Sequence, residues 1–164
     1  MSLRKSLKVF KEKQGNKIVS ALECGVADGK NAWLIFNHLR IKKLYLVDSW
    51  LKVYKEDRIK WVESVFDKFE GERKIFIIRS NAIDAVDLFP DGNLDYIYLD
   101  DLHNGDHVYK EMELYMPKVS QGGMLAGHDY DNNLPDRVKS GVDRFVSDHN
   151  LKLYVSDLDW WIWV

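Results

Sequence analysis

Five short apolar runs in this chain are each followed by residues able to bind a ligand or do chemistry. After the first comes Glu23-Cys24-Gly25-Val26-Ala27-Asp28-Gly29, with Asn31 just beyond. After the second come Asp48, Ser49 and Trp50, and after the third Ser80, Asn81 and Ala82. Asp100, Asp101 and His103 follow the fourth, and Gly127-His128-Asp129-Tyr130 follows the fifth. A glycine-rich turn ahead of a helix lets backbone approach a ligand closely under the helix N-terminus. An acidic residue about 20 residues further on is placed to accept hydrogen bonds from ribose hydroxyls, and Gly25 to Asp48 has that spacing. The pair points to an adenosine-type ligand. The pattern Glu-x-Gly-x-x-x-Gly lacks the crowded glycines of G-x-G-x-x-G that accommodate a pyrophosphate. Each cluster also has a plain structural reading. Gly25 and Gly29 suit any tight strand-to-helix turn, Asp48, Asp100 and Asp101 suit turns or caps, and His128 and Asp129 suit a solvated loop.

The elements that must position these residues alternate. The apolar runs 18–24, 44–47, 75–78, 96–99 and 124–126 are nearly continuous, as strands buried on both faces are. Between them, Ile59, Val62, Phe66 and Phe69 recur at helical spacing, as do Val108, Met112, Tyr115 and Met116, then Val138, Val142, Phe145 and Val146. Segments 31–39 and 82–89 also suit helices. Strand and helix alternate five times, which predicts an α/β fold with a parallel sheet covered on both faces. The end departs from this rule. Runs 151–155 and 160–164 are separated by Ser156-Asp157-Leu158-Asp159, too short for a crossover helix, so these two runs must be antiparallel. The expected architecture is a Rossmann-like, doubly wound, seven-stranded sheet, with six parallel strands and an antiparallel C-terminal strand. In such sheets ligands bind beyond the carboxyl ends of the strands, where the polar clusters stand.

Composition narrows the function classes. The 164 residues suit one domain. A net charge of -2 argues against a general nucleic-acid binder. No apolar run reaches the length of a membrane span, and the basic N-terminus lacks the apolar stretch of a secretory signal. The single cysteine, Cys24, permits no internal disulfide and reads as a small core residue. A cytoplasmic location is expected. His38, His107 and His149 fall in or beside the helical segments and have no assigned role.

The motifs resemble those of class I S-adenosylmethionine-dependent methyltransferases over about residues 17–164. Residues 23–29 resemble the family's first motif, and Asp48 in Leu44-Tyr45-Leu46-Val47-Asp48 resembles its ribose-binding acid. Asp95-Tyr96-Ile97-Tyr98-Leu99-Asp100 resembles the fourth-strand motif. The run Gly122-Gly123-Met124-Leu125-Ala126-Gly127-His128-Asp129-Tyr130 resembles the fifth strand of a subgroup ending in Gly-His-Asp-Tyr. The combination is similar to the small methyltransferase domain family 24, related to catechol- and macrocin-type O-methyltransferases. The usual Asp-Gly-Asp-His of that group is Asp100-Asp101-Leu102-His103 here.

The resemblance implies a single methyltransferase-like domain, 1–164, with 1–16 an N-terminal segment. It implies a cofactor site of Glu23, Gly25, Ala27, Asp28, Gly29, Asn31, Asp48, Ser49, Ser80, Asn81, Ala82, Asp100 and Asp101. The first glycine loop would hold the methionine end, Asp48 the ribose, and Ser80, Asn81 and Ala82 the adenine. Metal-dependent relatives imply Mg²⁺ on Asp100 and Asp129, with Asp100 and His103 catalytic and His103 the base. Hard oxygen ligands suit Mg²⁺, and a histidine can take a hydroxyl proton near neutral pH. The implied acceptor is a small molecule bearing a hydroxyl, with no nucleic acid or membrane partner. The pocket would be open or completed by a second copy in a homodimer. Loops 49–54, 102–106 and 130–136 would flank it, with Trp50 and Tyr130 as pocket aromatics. Rivals are a nicotinamide-dependent oxidoreductase and a non-catalytic module that kept the fold. A receiver-like domain needs a lysine after the fifth strand, where Gly127-His128-Asp129 stands. Trp160, Trp161 and Trp163 are expected to close the core on both faces of the sheet.

Overall fold

The computed structural model describes residues 3–51, 55–131, 133–134 and 137–164, without the side chains of 55, 56 and 58. Parts of two of the three expected pocket loops, 52–54 and 132 with 135–136, therefore lie outside the described residues. The elements run α1 (Lys5–Gln14), β1 (Ile18–Cys24), α2 (Lys30–His38), β2 (Arg40–Asp48), α3 (Lys55–Lys68), β3 (Ile75–Arg79), α4 (Ala82–Ala85), β4 (Leu94–Leu99), α5 (Gly105–Tyr115), β5 (Val119–Gly127), α6 (Val138–Asp148), β6 (Tyr154–Ser156) and β7 (Asp159–Trp163). The seven strands form one sheet in the order β3-β2-β1-β4-β5-β7-β6. Strands β1 to β5 pair in parallel, and β7 runs antiparallel between β5 and β6. Only β7 is reversed, so the expected sheet of six parallel strands and one antiparallel strand is the observed one.

The chain winds outward from β1 to β3, then crosses to the other side of β1 and winds outward again from β4. Such a reversal leaves a crevice at the carboxyl ends of β1 and β4. Alternate residues of each strand feed two cores. Leu22, Cys24, Ile97, Leu99, Leu125 and Trp160 pack under α5 and α6. Ala21, Leu46, Tyr96, Tyr98, Ala126 and Trp161 pack under α1 to α3. Trp160 and Trp161 thus enter opposite faces, and Trp163 stacks on Phe10 at 6.2 Å on the second.

Several elements differ from the sequence-based expectation. Residues 5–14 form α1, which the lysine-rich segment does not advertise. Leu7 and Phe10 are fully buried, and the buried Asp159 carboxylate accepts hydrogen bonds from Ser6 N (3.0 Å), Ser6 Oγ (2.8 Å) and Tyr98 Oη (2.9 Å). Buried charges must be paired or hydrogen-bonded, and this one locks α1 to the first residue of β7. The expected helix over 82–89 is a four-residue α4 followed by a 3₁₀ turn at Val86–Leu88. Strand β6 is confined to Tyr154–Ser156, and β2 begins at Arg40, upstream of the apolar run.

Candidate active site at the carboxyl ends of the strands

The end of β1 is held tightly to its neighbours. Gly25 N donates to Val47 O (2.9 Å) on one side, and Asp100 N donates to Cys24 O (2.8 Å) on the other. Gly25 has φ +81°, and a Cβ there would lie 2.0 Å from the Asp100 carbonyl oxygen. No other residue fits so close to β4, which accounts for glycine at this position. The loop beyond it folds over Asp48. Asp48 Oδ2 accepts from Val26 N and Ala27 N, both at 2.9 Å, and Oδ1 accepts from Trp50 N at 2.7 Å. A carboxylate offers about four acceptor positions, so the described residues fill three and leave one, on Oδ1.

Strain collects at this edge. Ala27 (φ 50°), Trp50 (φ 49°) and Asp129 (φ 59°) all lie in the left-handed region without being glycine. Each such residue costs about 1–3 kcal/mol and persists only where its surroundings fix it. Trp50 is fixed by burial and by its indole N–H, which donates to Ala27 O at 2.9 Å. The pocket these residues enclose measures about 310 Å³ and is lined by Gly25, Ala27, Asp48, Ser49, Trp50, Trp61, Asp100, Asp101 and His103. Its size falls at the lower end of the range for small-molecule sites.

The polar wall of the pocket is a carboxylate–histidine cluster. His103 Nε2 lies 2.9 Å from Asp129 Oδ2 and 3.7 Å from Asp100 Oδ1, and His128 Nδ1 lies 3.0 Å from Asp129 Oδ1. The ligand atoms of Asp100, His103 and Asp129 all lie within 4.8 Å of one another. The carboxylates of Asp100 and Asp129 beside its ring push His103 up to about 10. Asp129, flanked by His103 and His128, is held far below the usual carboxylate range. His103 therefore carries a proton at neutral pH in this arrangement. Arg4, just before α1, also reaches this wall, with Nη2 3.6 Å from Asp100 Oδ2.

Several expected cofactor residues act from beneath the loop. Glu23 is 1 % exposed and its Oε1 accepts from Asn31 Nδ2 at 3.0 Å. Burial pushes the Glu23 carboxyl well above its ordinary value, so the pair sits under the glycine loop as a braced floor. Gly29 (φ +76°) precedes α2, and Asp28 pairs with Lys30 at 2.6 Å on the loop's outer side. Ser80 N donates to Asp48 O (3.1 Å), whereas Asn81 Nδ2 bonds Asp84 in solvent and Ala82 is buried in the core. Ser80, Asn81 and Ala82 stand at the correct edge but outside the pocket lining. Tyr130, expected as a pocket aromatic, is buried in the core and bonds Asp143 at 2.6 Å. Trp61 and Arg4 line or approach the site without having been expected there. Trp61 is next to the apolar stripe of α3, and Arg4 is placed by the docking of α1 on the second core and β7. His107, which had no assigned role, lies 3.5 Å from both Asp101 and Glu111. Those two carboxylates push its ring up to about 9.

Comparison with known proteins places this geometry. The model of a methyltransferase domain family matches residues 22–130, which contain the glycine loop, Asp48, Asp100, His103 and Asp129. No curated protein matches the chain. Among solved structures, the O-methyltransferase NovP is similar over 98% of this chain and 77% of its own, with TM-score 0.70 and 17% identity. A Staphylococcus aureus protein assigned as a caffeoyl-CoA O-methyltransferase aligns over 100% and 85%, with TM-score 0.69 and 17% identity. A Streptococcus mutans protein assigned as a methyltransferase, solved in complex with SAH, aligns over 99% of both chains, with TM-score 0.70 and 14% identity. At these identities the structures show a common fold. The family match covers most of the chain, and the chain belongs to this methyltransferase domain family, with the Rossmann-like fold of class I S-adenosylmethionine-dependent methyltransferases.

Proposed function

We propose that this chain transfers a methyl group from S-adenosylmethionine to a hydroxyl of a small molecule. The observation that carries the reading is the meeting of two walls in one pocket. One is the Gly25–Asp48 loop, and the other is the cluster of Asp100, His103 and Asp129. The free acceptor position on Asp48 Oδ1 suits a ribose hydroxyl, and Trp50 and Trp61 offer flat apolar surfaces to the bound molecules. Glu23 and Asn31 support the loop that holds the methionine end, while Asp100 and Asp101 close the pocket on the β4 side. Most of the rate enhancement would come from holding the acceptor oxygen behind the sulfonium methyl.

The carboxylates of Asp100 and Asp129 with the His103 ring form a donor set that fits a divalent cation, and Asp100 and Asp129 would hold Mg²⁺. Bound there, Mg²⁺ would lower the pKa of a substrate hydroxyl. His103 holds a proton while both carboxylates face its ring. It becomes a base for the substrate hydroxyl only when those carboxylates are engaged elsewhere. The reading includes a cytoplasmic protein, consistent with the single unpaired Cys24, and a second copy completing the open side of the pocket. No helix among the described residues is long and apolar enough to cross a membrane.

The test is a crystal grown with S-adenosylmethionine and Mg²⁺, paired with methyl-transfer assays over a panel of hydroxyl-bearing acceptors. Metal density bonded to Asp100 and Asp129, and turnover lost in His103→Ala at unchanged cofactor affinity, are the expected results. Turnover that His103→Ala and Asp129→Asn leave intact would refute the assigned roles.

A further inference from the structure

We infer that Arg4 binds the carboxylate at the methionine end of the cofactor, a role that rests on the methyltransferase reading above. The protein itself makes little use of this guanidinium, a planar fork of N–H donors shaped to meet a carboxylate with two parallel bonds. Among the described residues its ion partner is Asp100, with Nη2 3.6 Å from Oδ2, beyond the roughly 2.7–3.2 Å of a hydrogen bond. Its central carbon stands 6.0 Å from the centre of the Tyr98 ring, the outer limit of a cation–π contact. Nε is buried and has no hydrogen-bond partner among the described residues. One edge of the group remains accessible, since the side chains of Arg4 and Asp100 are 18 % and 19 % exposed.

The residue is also held in place before a ligand arrives. Arg4 is the N-cap residue of α1. Two residues on, Ser6 is bonded through N and Oγ to the buried Asp159 carboxylate of β7, and Leu7 and Phe10 are fully buried. The stem of Arg4 therefore leaves from a fixed point, and little ordering is left for the ligand to impose.

Asp100 divides the site. Its Oδ2 meets Arg4, whereas its Oδ1 lies 3.7 Å from His103. His103 and Asp129 form the wall assigned to the acceptor hydroxyl, so Arg4 is on the other side of Asp100, toward β1. There the charges of Arg4 and Asp100 both act on the buried Glu23 carboxyl beneath the glycine loop. Sheet order leads to the same place. Ser80 to Ala82, assigned to the adenine, follow β3, and Asp48, assigned to the ribose, ends β2. The order β3-β2-β1-β4 then carries the methionine end to β1 and β4, where Arg4 stands. That corner offers both signs of charge, with the Arg4 guanidinium beside the carboxyl groups of Asp100 and Glu23. An amino-acid head, which carries a carboxylate and an ammonium side by side, complements it.

The experiment titrates the full chain, as wild type, Arg4→Met and Arg4→Lys, with S-adenosylhomocysteine and with its decarboxylated analogue, which keeps the amine. Calorimetry reads the affinities. The wild type should bind S-adenosylhomocysteine about 10- to 100-fold more tightly than the analogue. Arg4→Met should erase that difference by weakening S-adenosylhomocysteine alone, and Arg4→Lys should restore part of it. The analogue controls for folding, because a damaged fold weakens both ligands alike. Equal weakening of both ligands in Arg4→Met, an unchanged S-adenosylhomocysteine affinity there, or a wild type that does not distinguish the two ligands would overturn the inference and leave the methyltransferase reading standing. A wild type that does not bind S-adenosylhomocysteine would overturn that reading, and the inference with it.

Discussion

The strand bodies and the strand ends of this sheet are built to different rules. Within β1, β4, β5 and β7, side chains such as Leu22, Tyr96, Leu125 and Trp160 are buried in alternating cores, and none of these residues has a left-handed backbone. A few residues further along, Ala27, Trp50 and Asp129 take left-handed conformations, and carboxylates and histidines crowd together. The bodies are stabilised by apolar burial, whereas the ends hold strain and like charges in place for a ligand. The two regions should therefore fail in different ways.

The largest expected effect lies in the bodies. Trp160→Ala removes a fully buried indole from the strand that closes the sheet and should cost about 3–5 kcal/mol, read as a lowered melting temperature. Cofactor affinity of the molecules that remain folded should stay near wild type. Loss of affinity without loss of stability would break the division. Gly25→Ala comes next. Its Cβ would press on the Asp100 carbonyl at 2.0 Å from a left-handed backbone, so about 1–3 kcal/mol of stability should go together with nearly all cofactor binding. A calorimetric titration with unchanged affinity would remove Gly25 from the site.

Asp48→Asn should cost the fold a similar amount. It replaces a carboxylate that accepts three backbone N–H groups by an amide with one acceptor oxygen, and should cost about 1–3 kcal/mol by thermal melt. The smallest effect is on titration. In the folded chain His103 keeps its proton to about 10, against about 6.5 when unfolded. The stabilisation this pairing gives is complete below about pH 6.5 and fades as pH rises toward 10. Asp129, whose value is lowered, contributes above about pH 3.9 and loses that contribution in acid. Asp129→Asn should bring the His103 midpoint, followed by NMR, down toward 6.5. A midpoint that does not move would show that Asp129 does not hold this proton.

The strand bodies were largely legible because strands buried on both faces leave continuous apolar runs. The four residues between the runs 151–155 and 160–164 left room only for a reversed last strand. Helix α1 was not legible, since its lysines cover the surface while only a narrow stripe, Leu7 and Phe10, enters the core. At the strand ends, Gly25 and Asp48 could be located by their spacing, whereas Asp100, His103 and Asp129 were found by their place after the fourth and fifth runs and by the family resemblance. Their partners could not. Arg4 reaches Asp100 through tertiary packing, and Trp61 enters the pocket because α3 packs on the second core. Asp101 meets His107 only when α5 docks.

Calorimetric titration with S-adenosylhomocysteine and, separately, NADH tests the central claim most directly. The account predicts saturable one-to-one binding of S-adenosylhomocysteine, weakened at least tenfold by Asp48→Asn, and no binding of NADH. Tight NADH binding with none of S-adenosylhomocysteine would contradict it.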